Sequence, residues 1–216
     1  MKMRQTQRAL DAFERVVAID PANEAANLYA ATAAMEMFDG ETAVKYAEKA
    51  KELAPNDWRV NTTLVAAYAG AGHRQQRDAE RELLRKLHDD PHAAEATQTN
   101  GFLLEMFLAG PYRVDAIEYF HPMGEFHLYY RFLVRKRSGE RIGAIDCQSD
   151  DLNQASWAKA HPKDAAAGKR QFSLEGDSGG RHTQLGLFSG DADYDRVKAE
   201  VTRTIAAQPG LFPAGV

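Results

Sequence analysis

The chain has 216 residues, enough for one large domain or two small ones. Its 44% hydrophobic and 27% charged residues are those of an ordinary globular protein. A net charge of −4 gives no whole-chain case for nucleic acid or an acidic membrane surface, a single cysteine excludes an internal disulfide and a cysteine-rich zinc site, and no apolar run approaches the ~20 residues of a membrane helix.

Met1 to Arg8 lacks the apolar core of a signal peptide, so the expected location is cytoplasmic. Ala9 to Ile19 reads as a helix closed by Pro21. Glu24 to Phe38 is Ala-rich and free of Gly and Pro, which favours helix. Asp39-Gly40 reads as a stop and turn, after which helix resumes to Leu53. Asp57 is an N-cap for the next helix, which ends near Gly70 to Gly72. Gln75 to Leu87 is charged on one side, with Ala79, Leu83, Leu84 and Leu87 expected inward. Pro91 is expected to open a closing helix from about His92 to Ala109, ended by Gly110-Pro111.

Two of these segments are copies. Ala9 to Pro21 returns 34 residues later as Ala43 to Pro55, and a weaker copy with Ala79, Leu83, Lys86 and Pro91 lies 36 further on. Small residues at the first and eighth places of the helix let a neighbouring helix approach, Phe13 fills the gap between them, and the proline fixes the exit turn. A hairpin of this kind buries its apolar face only by stacking on another.

The pattern resembles the tetratricopeptide repeat family over roughly Ala9 to Gly110. Its middle unit would run from Glu24 to Asp57, with Ala31, Ala43, Ala47, Ala50 and Pro55 at the family's patterned places. Ala47 stands where a large residue is usual, with Tyr46 beside it; the next unit, from Trp58, has Val65 and Lys86 where small residues are usual. The resemblance implies a groove lined by the first helix of each unit. Its residues here would be Leu28, Tyr29, Thr32 and Met35 in the middle unit, and Arg59, Thr62, Thr63 and Ala66 in the next. Ala25 and Ala69 occupy the remaining lining places. Members that grip a chaperone's C-terminal carboxylate use Lys, Asn and Arg there; Tyr29, Arg59 and Thr63 occupy those places, and only Arg59 suits the task. Ala9 to Ile19 matches a second helix without its first. That leaves a face to be capped by solvent, by an upstream segment or by a second copy, so a homodimer through this N-terminal helix is one expectation.

After Pro111 the periodicity changes to two. Tyr112 to Phe120, Glu125 to Arg135 and Arg141 to Cys147 read as strands, the second alternating Phe126, Leu128, Tyr130, Phe132 and Val134 with polar residues. Ser149 to Gly168 reads as an excursion or a short helix around Trp157. Lys169 to Glu175 and His182 to Phe188 form a hairpin across Gly176-Asp-Ser-Gly-Gly180. Asp191 to Gln208 is a helix with Tyr194, Val197, Val201 and Ile205 inward. Five strands and a helix predict an antiparallel sheet with the helix on one face. The fold expected is therefore α+β: helical repeats over 1–110, then a small antiparallel sheet with a C-terminal helix over 111–216.

The candidate chemistry is sparse. Gly176-Asp177-Ser178-Gly179-Gly180 looks like the nucleophile segment of chymotrypsin-like proteases. Arg181 replaces the usual proline, the matching histidine segment is absent, and two β-barrels do not fit after Pro111. The alternative is a glycine-rich hairpin loop. His73, His88, His92, His121, His127, His161 and His182 include no His-Glu-x-x-His signature. Asp146, Asp150 and Asp151 read as loop acids and Cys147 as a core residue. Arg131, Arg135, Lys136, Arg137 and Arg141 cluster on one hairpin beside Tyr129 and Tyr130, a single-strand nucleic-acid pattern or, with this net charge, a protected sheet edge. No metal, cofactor or catalytic residue is assigned. The expected function is a scaffold whose groove holds a peptide or helix of another protein, without nucleic acid or membrane. The alternative is an enzyme or small-ligand binder with its site in the α+β part.

Overall fold

A computed structural model of the chain describes residues 2–89, 100–123, 127–149, 151–190 and 193–212. Helices α1 (Lys2–Ile19), α2 (Glu24–Glu36), α3 (Gly40–Leu53), α4 (Trp58–Ala71) and α5 (Arg74–Asp89) come first. They are followed by β1 (Gly101–Ala109), β2 (Tyr112–Met123), β3 (Leu128–Arg135) and β4 (Arg141–Gln148). Then come α6 (Asp151–Ala160), α7 (Pro162–Ala166), β5 (Arg170–Ser178), β6 (Arg181–Gly190) and α8 (Tyr194–Ala207). The class is α+β, and the chain divides into two compact units, Met1–Phe107 and Leu108–Val216.

In the first unit each helix touches the next, and α2 also touches α4. That is the contact pattern of stacked hairpins, in which the first helices of successive units meet. Ala30, Ala31, Ala34, Ala43, Ala47 and Ala67 are fully buried in one cluster with Tyr46, Leu64 and Tyr68. Tyr46 supplies the bulk that Ala47 lacks, and its hydroxyl donates to Glu14 at 3.0 Å, tying α3 to α1.

The turn between hairpins is set by one buried side chain, repeated. Asn27 Nδ2 donates to the carbonyls of Pro21 at 3.2 Å and Asn23 at 2.8 Å. Asn61, 34 residues on, donates to Pro55 and Asp57 at the same two distances. Both asparagines are completely buried. Asn61 Oδ1 accepts from Lys51, which also bonds Glu80 on α5 at 2.9 Å. In the first copy, Asn27 Oδ1 and Glu24 Oε1 are buried without a donor among the described residues.

Asp39-Gly40 works differently from the turn expected. Phe38 takes the left-handed φ of 61° that ends α2, while Asp39 caps α3 by accepting from Thr42 N at 3.1 Å. Gly40 is the first residue of α3, and a Cβ there would stand 2.5 Å from Ala71 N and 2.6 Å from Gly70 C. The glycine is needed for backbone contact between α3 and α4. On α5 the inward line is Arg77 and Leu84, and Ala79, expected inward, is exposed. Long Arg stems cover apolar surface that a methyl group does not reach.

The largest correction concerns the closing helix. Residues 90–99 lie outside the described residues, but Gly101–Ala109, assigned above to helix, is strand β1. The run Phe-Leu-Leu-Glu-Met-Phe-Leu is nearly all apolar, and a run buried on both faces carries no period that separates strand from helix. Phe102, Leu104, Glu105, Met106 and Phe107 are all buried, and Met106 joins the same cluster as Met35, Ala66 and Tyr68.

The sheet has six strands in the order β1-β2-β3-β4-β5-β6, one more than expected because of β1. The pairs from β2 through β6 are antiparallel. β3 alternates as read: Leu128, Tyr130, Phe132 and Val134 are buried and their neighbours half-buried, while Phe126 lies outside the described residues. α8 covers that face, with Tyr194 stacked on Phe132 at 6.4 Å and 7°. Tyr194, Val197, Val201 and Ile205 are buried, as the helical period required. The excursion after Ser149 contains α6, whose Trp157 is buried, and α7.

Ala43→Glu should cost about 3 kcal/mol or more, because the residue is completely enclosed and a lone buried carboxylate has no partner. Thermal melting followed by circular dichroism checks it, and an unchanged midpoint would mean the helix register is wrong. Gly40→Ala should also lower the midpoint, since the methyl group meets backbone and not a flexible side chain. A gain in stability there would show that the α3–α4 approach is looser than described.

Candidate functional site

The expected groove residues fall into two groups. Leu28 is buried against Ala50 and Val60, and Met35 and Ala66 are buried in the main helical cluster. These three are packing residues, not lining, which corrects the expectation that they face a ligand. Their positions follow from α2 and α4 being covered on most of their circumference, so helical spacing alone did not distinguish the lining from the core.

The second group stays at the surface. Tyr29 is 50% exposed, and its ring lies 5.4 Å from that of Phe13 on α1. Thr32 is exposed on the next turn, its hydroxyl bonded to Leu28 O at 3.0 Å. Thr62 and Thr63 are half-buried on α4. Arg59 is exposed, but Asp57 holds its guanidinium through Nε at 3.2 Å and Nη2 at 2.7 Å. Asp57 also caps α4 through Arg59 N at 2.7 Å. The Arg59 side-chain bond, opposed by burial and aided by the backbone bonds, holds the Asp57 carboxyl below its usual range. Since the folded value is depressed, this contribution to α4 is present above the unfolded value and is lost as pH falls through the folded one.

Two further apolar residues of α1 are exposed. Val16, one turn beyond Phe13 on α1, is 40% exposed, and Ile19 is 86% exposed. Phe13 and Val17 are partly buried against the main helical cluster. α1 and α2 thus expose Val16, Ile19 and Tyr29, the last beside the Phe13 ring. Sequence reading found Tyr29 but missed Val16 and Ile19; the signal available was Val16-Val17-Ala18-Ile19, four apolar residues in a row, too many for one helix face.

The other constellations separate. Among the described residues no three His, Cys, Asp or Glu side chains are grouped to hold a metal ion. His73 meets Glu41 at 3.2 Å, His88 meets Asp89 at 3.4 Å, and His161 stacks on Trp157 at 5.1 Å. His92 and Asp150 lie outside the described residues. Ser178 is cross-strand to Arg181, whereas His182 is cross-strand to Asp177. Successive strand residues point to opposite faces, so Ser178 and His182 are on opposite sides of the sheet and cannot form a nucleophile–base pair. On the basic hairpin, Arg131 makes two bonds of 2.7 Å to Asp146, which keep its guanidinium charged. Arg135 bonds Asp115, Lys136 bonds Glu140, and Arg137 bonds the carbonyls of Gly110 and Pro111. Four of the five cations are thus engaged within the unit. Among the described residues no helix is long and apolar enough to cross a membrane.

No family model, curated protein or solved structure matches the chain.

Cys147 is completely buried between β3 and β5, and burial pushes its thiol pKa well up. A thiol-reactive disulfide reagent should leave it unmodified at pH 8 in the native protein and react once in denaturant. Rapid native labelling would contradict the burial.

Proposed function

We propose that the chain is a protein-interaction scaffold of the tetratricopeptide-repeat kind, with its working surface on the α1–α2 face of the helical unit. The supporting observation is Tyr29, half-exposed beside the Phe13 ring, with Thr32 exposed on the next turn of α2 and Val16 exposed on α1. Tyrosines seated on a rigid apolar base are common interface anchors, because little side-chain entropy remains to be lost on binding. The 34-residue recurrence of the alanine places and of the buried asparagine supports the repeat assignment. The occupant is a peptide or helix of another protein that lays an apolar side chain beside Tyr29. Arg59, held by Asp57, would sit at the edge of such a contact with its hydrogen bonds already partly spent.

A second copy of the chain is the alternative occupant, favoured by the exposure of Val16 and Ile19 on α1. Binding is measured with whichever protein a pull-down from native lysate retains. Tyr29→Ala and Val16→Asp should each weaken it roughly ten-fold or more, with the melting midpoint unchanged. Loss of stability without loss of binding would make the face an internal interface and end this reading. Light scattering distinguishes the alternative: a dimer dissociated by Val16→Asp assigns the face to self-association.

A further inference from the structure

One arginine of the basic hairpin is left over. Arg141 makes no side-chain bond or ion pair among the described residues, and neither does Arg181. The two lie together in a cleft of about 630 Å³ within the second unit, and the hydroxyls of Ser178 and Thr183, likewise without partners among the described residues, line it too. The glycine-rich segment that sequence reading weighed as a protease motif thus forms the mouth of a polar cleft.

The sheet register explains why these groups converge. Ser178 pairs with Arg181 and Gly176 with Thr183, so all of these sit on one face of the β5–β6 hairpin. Ala144 pairs with Asp177, which brings Gly143 alongside Ser178; beyond Gly143 the β3–β4 register shifts, Arg141 stands cross-strand to Arg135, and it reaches the same cleft from the start of β4. A Cβ on Gly143 would stand 2.5 Å from the Phe212 ring, so this is the face that carries the C-terminal segment. Leu211 and Ile142 provide the cleft's apolar lining. Gly179 and Gly180 adopt φ of 59° and 79°, the turn that two-residue hairpin loops require, and a side chain on either would meet nothing within 4 Å. The mouth is therefore open. Gly180 N donates to Asp177 Oδ1 at 3.1 Å, which holds that carboxylate on the loop. The one acid in the lining, Glu140, is already paired with Lys136 at 2.9 Å.

Two guanidiniums gathered on one rim, where the one acid in the lining is already paired with Lys136, repel each other, and an anion between them relieves that cost. The guanidinium fork matches the oxygens of carboxylate and phosphate in pairs, and neighbouring hydroxyls add donors of the right length. The volume falls in the range of small-molecule sites, and a mixed apolar and polar lining is what such sites use. We propose that this cleft binds a small molecule through an oxyanion, a phosphate or a carboxylate, clamped by Arg141 and Arg181 with Ser178 and Thr183 donating. The proposal is independent of the α1–α2 face, and the failure of either leaves the other standing.

The test is calorimetric and NMR titration of the full chain with inorganic pyrophosphate and, separately, citrate. Saturable binding of one of them, with amide shifts concentrated at Gly179 and Gly180, is expected, and which probe binds decides between phosphate and carboxylate. Arg141→Gln and Arg181→Gln should each weaken it roughly ten-fold or more. Both side chains are exposed, so the melting midpoint should hold. Lys159→Gln, which removes the same charge from α6, should leave binding unchanged. The proposal is overturned by the absence of saturation with both probes up to about 10 mM, or by Lys159→Gln weakening binding as much as the cleft variants do.

Discussion

The helical unit depends on a buried amide that closes each proline turn. A proline after a helix stops it but does not aim the chain that follows. Here Asn27 and Asn61 do the aiming, each with one NH2 group bridging the proline carbonyl behind it and the carbonyl at the start of its own helix. The Asn23 and Asp57 carbonyls also accept from the backbone N–H of Asn27 and Asn61, so each amide adds a second bond there and ties the proline carbonyl to the helix that follows. With the turn fixed, the next helix returns at a set angle and the alanine places of neighbouring helices come into register. The close approach of Gly40 to Gly70 and Ala71 is possible only because that angle is held.

The second unit solves a different problem with charge. One face of its sheet is closed by α8 through Tyr194, Tyr130 and Phe132. The opposite face carries Arg113, Asp115, Arg131, Arg135 and Asp146: Arg131 pairs with Asp146 and Arg135 with Asp115 across strands, and Arg113 joins Asp115 along β2. Asp115 is nearly enclosed and would be costly with a single partner lost, but two guanidiniums share it. The Arg131–Asp146 pair favours the observed register, since a slip of one residue would set Arg131 opposite Ile145 or Cys147 and turn the charges toward the α8 face. Such pairing also consumes the cations that a glance at the sequence would assign to a nucleic-acid surface, and so makes the unengaged pair at Arg141 and Arg181 stand apart.

How much of this the sequence disclosed depended on whether a residue's burial left a periodic trace. The alanine copies and β3 did leave one, because each buries one face and exposes the other. β1 did not: with Leu, Met and Phe on both faces, helix-forming composition outweighed the nine-residue length between Asn100 and Gly110 that marked a strand. Leu28, Met35 and Ala66 failed as groove residues for a related reason, since spacing gives the face of a helix but not what covers it. Tyr29 stays at the surface, its place flanked by Ala25 and Thr32, both exposed. The Asn27 and Asn61 clamp was readable in principle, as Pro-x-Asn/Asp-x-x-x-Asn recurring at the repeat length, but a polar residue inside a helix draws no attention in a hydrophobic pattern.

The two copies of that clamp are unequal, and the inequality falls at the proposed working face. In the second copy the remaining oxygen of the asparagine meets Lys51, which also reaches Glu80, so three helices are joined through one amine. In the first copy the place equivalent to Lys51 is Val17, and the oxygens of Asn27 and Glu24 are buried without a donor among the described residues. α1 is joined to the stack by Leu10, its one buried side chain among those described, by half-buried Phe13 and Val17, and by the Glu14–Tyr46 bond. An element with so few buried anchors opens at lower free energy than the helices behind it. A partner covering Val16 and Tyr29 would therefore add its binding free energy where the unit has least of its own, and binding at this face and ordering of α1 become a single linked equilibrium.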